Sequence, residues 1–160
     1  FAPQVHSLLA LYPLFNSRSS INSLAHLLNP LRLSASFVGV TQPAYRELHR
    51  DAGALLNMKS VSAVSTSRDV AELVPHHTHT VYRWLGSQKI DINLPTLSKA
   101  ATDRHASQST FEYWLAVWSG AAIDERAELT VIASTAMALM TALAADNDSY
   151  GHFYAQAQAL

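Results

Sequence analysis

Residues 129–145 read LTVIASTAMALMTALAA, 17 positions without a charged residue, a glycine or a proline. Leu129, Ile132, Ala133, Ala136, Met137, Met140, Leu143 and Ala144 follow the i, i+3, i+4, i+7 spacing of one helical face. Val131, Ala138, Leu139 and Ala142 make the remaining faces nearly as apolar. A helix that is apolar all round must be covered on all sides. The stretch therefore predicts a mainly α fold with a minor β component: an α-helical bundle around this one central apolar helix, with two or three short strands. Part of its cover is expected from the chain's continuation or from a neighbouring subunit. A membrane span needs about 20 apolar residues; this run is shorter and holds Ser134, Thr135 and Thr141, so a buried core helix is expected and no membrane contact.

The whole chain has 160 residues, the size of a single domain covering 1–160, and is long enough to bury a core. It does not begin with Met, which is the expectation for a processed product or a segment of a larger chain or assembly. Apolar residues make up 49% and charged residues 14%. Soluble domains carry roughly 25% charged residues, so much of this surface is neutral or covered. Net charge is −1 with eight neutral histidines, which argues against strong nonspecific attraction to phosphates or anionic lipid. With no cysteine there is no disulfide, thiolate nucleophile or cysteine-based zinc site.

Working outward from the central run, Asp124 is placed to cap its N-terminus, with Glu125 and Glu128 in the first turns, where the helix dipole favours negative charge. Thr110 is placed to cap a preceding helix carrying Phe111, Trp114, Leu115 and Trp118, broken near Gly120. Phe111, Trp114 and Trp118 have the spacing of a core stripe, and Tyr113 lies off it. Asp146-Asn147-Asp148 ends the central helix, and 150–160 is a ragged, partly helical tail. Tyr113, Trp118, Tyr150 and Phe153 are the candidate interface residues. Asn147-Asp148-Ser149 matches a glycosylation acceptor, which matters only in a secreted protein.

Towards the N-terminus, Val5, Leu8, Leu9 and Tyr12 share a helical face that Pro13 stops. Ser19 and Ser20 can cap a second short helix with Ile21, Leu24, Leu27 and Leu28 inside, ended by Asn29-Pro30. Residues 31–40 alternate as a strand. A helix entered at Pro43 is expected to bury Tyr45, Leu48, Ala52, Leu55 and Leu56, with Arg46, Glu47, His49, Arg50 and Asp51 solvated. Short strands are expected at 61–64 and 89–94, and a helix at 97–105.

The segment from Thr66 to Ile90, TSRDVAELVPHHTHTVYRWLGSQKI, resembles the helix-turn-helix of excisionase-type and MerR-type DNA-binding proteins. The likeness rests on VAEL at 70–73, TVYRWL at 80–85 and the Ser87-x-Lys89-Ile90 that follows. It implies a supporting helix at 67–74 and a recognition helix at 78–85, with Thr78, His79 and Arg83 nearest DNA. The segment departs from the family at the turn, where Pro75 and His76 stand in place of a residue tolerant of positive φ and an apolar residue. Its charge is balanced, whereas a DNA reader is basic on one face.

No arrangement of residues carries an enzyme. His76, His77 and His79 are close in sequence, but Pro75 interrupts the helix that would set Glu72 beside His76, and two ligands on one extended face do not close a zinc site. The five glycines are too scattered for a phosphate loop, and neither His-Glu-x-x-His nor Gly-x-Ser-x-Gly occurs. No catalytic residue, cofactor or metal is expected. In general character the chain also resembles a segment of the helical capsid proteins of fungal and plant double-stranded RNA viruses, in stretches such as LYPLF at 11–15 and LNPLRLSASF at 28–37. No defined motif carries this likeness, so it transfers no functional residues. With the low charge and the over-apolar helix it implies a structural or assembly protein, a capsid or capsid-associated component located in the virion or cytoplasm. Its partners would be copies of itself or other subunits of a shell, since obligate interfaces are depleted in charge. The alternative is a DNA-binding regulator using Thr66 to Ile90.

Overall fold

The computed structural model describes residues 3–10, 27–29, 31–66, 70–98 and 110–160. The described elements are helix α1 (Pro3–Leu9), strand β1 (Ala35–Val40), helix α2 (Tyr45–Leu55), strands β2 (Ser60–Ser65), β3 (His79–Leu85) and β4 (Gln88–Leu94), and helices α3 (Phe111–Trp118), α4 (Glu125–Ala142) and α5 (Tyr150–Gln158). The strands form one mixed sheet in the order β1-β2-β3-β4, with β1 and β2 parallel and the other pairs antiparallel. This α/β architecture replaces the expected helical bundle with two or three short strands. The largest single reason is 79–85, expected as a helix. Its β-branched and aromatic residues instead form a central strand, with Val61, Ser62 and Ala63 opposite Trp84, Arg83 and Tyr82. Residues 70–74 are not helical, and 67–69 lie outside the described residues. So do 21–26 of the helix expected to hold Ile21, Leu24, Leu27 and Leu28, and most of that at 97–105; Leu27, Leu28, Leu97 and Ser98 are not helical.

Local chemistry sets the ends of the elements. The Asn29 side chain brackets Leu33, donating to its carbonyl at 2.6 Å and accepting from its amide at 2.8 Å, so β1 starts four residues later than the alternation from Leu31 implies. Gly86 heads the two-residue β3–β4 turn with φ 63°, a conformation that favours glycine. Asp124 caps α4 by accepting from the Ala127 amide at 2.9 Å, and Thr110 caps α3 by accepting from the Tyr113 amide at 3.2 Å, both as the sequence implies. Helix α4 stops at Ala142 in a left-handed cap: Ala144 has φ 51°, its amide donates to Thr141 and the Ala145 amide to Met140. Helix α2 ends the same way through Asn57 at φ 56°.

The sheet is covered on both faces. Ile132, Ala133, Ala136, Met137 and Met140 of α4 form the main core with Val64, Val81 and Leu94 of the sheet, closed at one end by Phe153 and Ala157 of α5. Beneath this lies a buried polar contact, Ser62 Oγ to Thr141 Oγ1 at 2.7 Å. Helix α4 therefore buries one face. Val131 and Leu143 stay 63% and 67% exposed, so the cover expected on all sides is not supplied by the described residues. Gly39 of β1 admits the backbone of the 70–71 segment: a Cβ there would collide with the Val70 carbonyl.

Helix α2 covers the opposite face, but its leucines and its His49–Arg50 pair exchange the places expected of them, while Glu47 stays exposed. His49 and Arg50 are buried at 1% and 4% exposure, while Leu48, Leu55 and Leu56 are 56%, 84% and 54% exposed. The sheet explains the exchange. Alternation along β3 and β4 turns Tyr82, Lys89 and Asp91 towards α2 and Val81, Ile92 and Leu94 towards α4. Arg50 reaches Asp91 at 3.3 Å, Asp51 at 2.9 Å and Glu47 at 3.0 Å, and Lys89 pairs with Asp51 at 2.8 Å. Arg46 and Arg50 both lie over the Tyr82 ring, at 4.7 and 5.3 Å. Gly53 lets Val61 approach where any Cβ would collide.

Candidate functional site

Parallel strands β1 and β2 end together at Val40 and Ser65, and a cleft of about 690 Å³ opens beyond the end of β2. The carboxyl ends of parallel strands are the usual place for such a crevice in α/β sheets. One wall is the 72–79 segment, which carries Glu72 and the three neighbouring histidines into β3. The other is Trp114 of α3 with Arg126, Thr130 and Val131 of α4. The 72–79 wall is held from three directions: the Leu73 amide donates to Ser134 Oγ at 2.9 Å, the amides of Leu97 and Ser98 donate to the Pro75 carbonyl at 2.8 and 3.1 Å, and His79 Nε2 donates to the Val74 carbonyl at 2.9 Å. Thr130 Oγ1 donates to the Arg126 carbonyl at 2.7 Å, and Arg126 Nη2 donates to His76 Nε2 at 3.3 Å across the cleft.

The three histidines therefore do not converge. The His76 ring packs against His77 at 4.2 Å between centroids while taking a hydrogen bond from Arg126, and His79 is turned to a carbonyl. Among the described residues no group of three His, Cys, Asp or Glu side chains is placed to hold a metal. Burial holds the His79 imidazole below its ordinary pKa, and His77 pushes the same way, against its hydrogen bond to Val74 and the nearby Glu72.

The residues singled out for DNA contact are dispersed. Thr78 is exposed beside the cleft and His79 is half-buried in its wall. Arg83 is wholly buried under the end of α4. Its Nε donates to Ser62 Oγ at 3.2 Å, Nη1 to Asn147 Oδ1 at 2.6 Å and Nη2 to the Ala145 carbonyl at 2.8 Å. Burial lowers its pKa, and Asp146 partly offsets this. Where the resemblance implies a recognition helix over 78–85, His79–Leu85 is strand β3, and the described part of the implied supporting helix, 70–74, is not helical. Asn147 is held on both sides, since Nδ2 also donates to the Asp91 carbonyl at 3.0 Å.

The candidate interface residues also separate. Tyr113 braces the α3–α4 connection by donating to Asp124 Oδ2 at 2.9 Å. Phe153 belongs to this chain's core, and Tyr150 packs against it with its phenol pKa pushed up to about 12 by burial. Trp118 is 90% exposed. The aromatic stripe of α3 is not core: Phe111 and Leu115 are exposed too, and no residue of this helix is buried. Exposed aliphatic side chains on α2, which patterning assigned to the interior, were missed. Only the polar side chains on the facing strands could have revealed them.

Neither protein-family models nor curated proteins match the chain. No helix among the described residues is long and apolar enough to cross a membrane.

Proposed function

We propose that this chain is a structural module that works through protein–protein contacts, with copies of itself or with other subunits of a larger shell, and that it performs no catalysis. A viral capsid is the setting that the general sequence resemblance implies. One observation carries the reading: α2 turns Leu48 and Leu55 outward, beside Leu56, and directs Arg46 and Arg50 at the sheet. A helix that ended at water would do the reverse. Contiguous exposed apolar surface marks interaction sites in soluble proteins. Phe111, Leu115 and Trp118 of α3, with Ile123 at 89% exposure, present a further apolar surface. The low charge of the whole chain supports the same reading.

Size-exclusion chromatography with light scattering tests the proposal on the chain and on a Leu48→Glu/Leu55→Glu variant. The parent should associate in a concentration-dependent way, and the variant should run as a monomer with unchanged circular dichroism. A parent that stays monomeric at all concentrations, or a variant that associates equally well, would overturn it. So would a monomer that shifts duplex DNA.

A further inference from the structure

We propose that α3 of one copy of this chain docks antiparallel on the outward face of α2 of the next, so that copies join head to tail. This rests on the assembly reading and names the partner of the α2 face as the α3 face of a second copy. The two surfaces cannot meet within one chain. Helix α2 lies on one side of the sheet, and α3 is tied to α4 on the other side by the Tyr113 hydroxyl and Asp124. Each surface has the pattern of half a helix pair. Leu48, Ala52 and Leu55 stand at i, i+4, i+7 on α2, and Phe111, Leu115 and Trp118 stand at the same spacing on α3. Every one of them except Ala52 is more than half exposed.

Shape and charge select this pairing over each surface meeting its own kind. On α2 the small Ala52 leaves a hole between two leucine knobs, whereas the stripe of α3 has no small member. An antiparallel pair of α3 helices would therefore set Phe111 against Trp118 with no hole to receive either. An antiparallel pair of α2 helices would set the edge carrying Glu47 and Asp51 against the same edge of its copy, like charge on like. With α3 on α2, Leu115 enters the hole over Ala52, Phe111 falls beside Leu55 and Leu56, and Trp118 falls beside Leu48. Charge then fixes the sense. Glu112 is exposed in the first turn of α3, and Lys59 is exposed just beyond the end of α2. The antiparallel sense brings these opposite charges to the same end and also opposes the two helix dipoles. The parallel sense would bring Glu112 to the exposed Glu47. A contact between two different surfaces does not close at a dimer, and it continues into a ring or an open filament.

Native mass spectrometry of two variants, each blocked on one surface, tests the proposal: Leu48→Glu/Leu55→Glu on α2 and Phe111→Glu/Trp118→Glu on α3. The parent should form species larger than a dimer, and each variant alone should be monomeric. An equal mixture of the two should give a one-to-one complex and nothing larger, because one partner keeps its α3 face and the other its α2 face. Self-association of the α3-blocked variant without a mixed complex would overturn the head-to-tail pairing and leave the assembly reading standing. So would a mixture that stays monomeric while the parent assembles. A monomeric parent would overturn the assembly reading itself. Charge reversal gives an answer that does not depend on the glutamate variants folding. Glu112→Lys and Lys59→Glu should each weaken association about two- to fivefold, the effect of a solvent-exposed ion pair. Combining both reversals in one chain should restore parental association, and losses that simply add would overturn the antiparallel docking.

Discussion

Arg83 links β2, β3 and the chain beyond α4 through its bonds to Ser62, Asn147 and the Ala145 carbonyl. Removing it empties a buried site and strips a partner from Ser62 and from the half-buried Asn147 and Ala145 acceptors, at about 1 kcal/mol or more each. Arg83→Ala should therefore destabilise the fold by about 3 kcal/mol or more, read as a lower urea midpoint. Ala144 is the opposite case. An L-residue in the left-handed region is strained by about 1 kcal/mol, and Ala144 stands there at φ 51°. Ala144→Gly should raise stability by about 0.5–1 kcal/mol in the same assay. His79 sets a pH dependence. Its folded pKa lies below the ordinary 6.5, so the folded state binds fewer protons than the unfolded chain between those values. The neutral-state advantage is complete above the unfolded pKa and is lost as pH falls through the folded one. Melting temperature should drop as pH falls from above the ordinary 6.5 to below it, and His79→Gln should flatten that slope. None of these roles is legible residue by residue. TVYRWL shows an arginine among β-branched and aromatic residues, and only Ser62 and Asn147, distant in sequence, make it an interior group.

Among the elements, α2 separates pattern from outcome most sharply. The sequence reading puts the leucines at 48, 55 and 56 inside and His49 and Arg50 in water, and the structure exchanges them, while Glu47 stays exposed as expected. The choice belongs to β3 and β4, whose α2-facing positions carry Tyr82, Lys89 and Asp91. Arg50→Leu should accordingly cost about 1–2 kcal/mol, moderated because Asp51, Asp91 and Glu47 stay partly solvated. Leu55→Gln should shift monomer stability by no more than about 0.5 kcal/mol. Urea denaturation of both variants gives the ranking, and the reverse order would restore the conventional orientation of α2. Helix ends were more legible. Thr110 and Asp124 cap as expected because a cap needs only an oxygen within reach of amides two or three residues on. The strand at 89–94 was legible as well, since KIDINL alternates.

At the scale of the molecule, three layers stack as α2, sheet and α4–α5, and the outer surfaces of α2 and α3 are rich in large apolar side chains. If association uses these surfaces, it should survive high salt, which screens charges, and weaken on cooling, which reduces the hydrophobic driving force. Sedimentation velocity across salt and temperature checks this, and dissociation by salt would instead point to charged contacts. The sequence by itself determined a capped apolar helix around 129–145, found at Glu125–Ala142, strands around 31–40 and 89–94, found at Ala35–Val40 and Gln88–Leu94, and that the cysteine-free chain has no disulfide. These follow from short-range spacing, caps and composition. Tertiary structure alone decided that 79–85 is a strand, that Arg50 and Arg83 lie inside, and that α4 is one layer of an α/β stack rather than the axis of a bundle. The physical reason is that a strand's state, and the side a helix buries, depend on partners tens of residues away. In 129–145 the apolarity on every side measured how much cover the helix can use; the sheet and α5 decided which face received it.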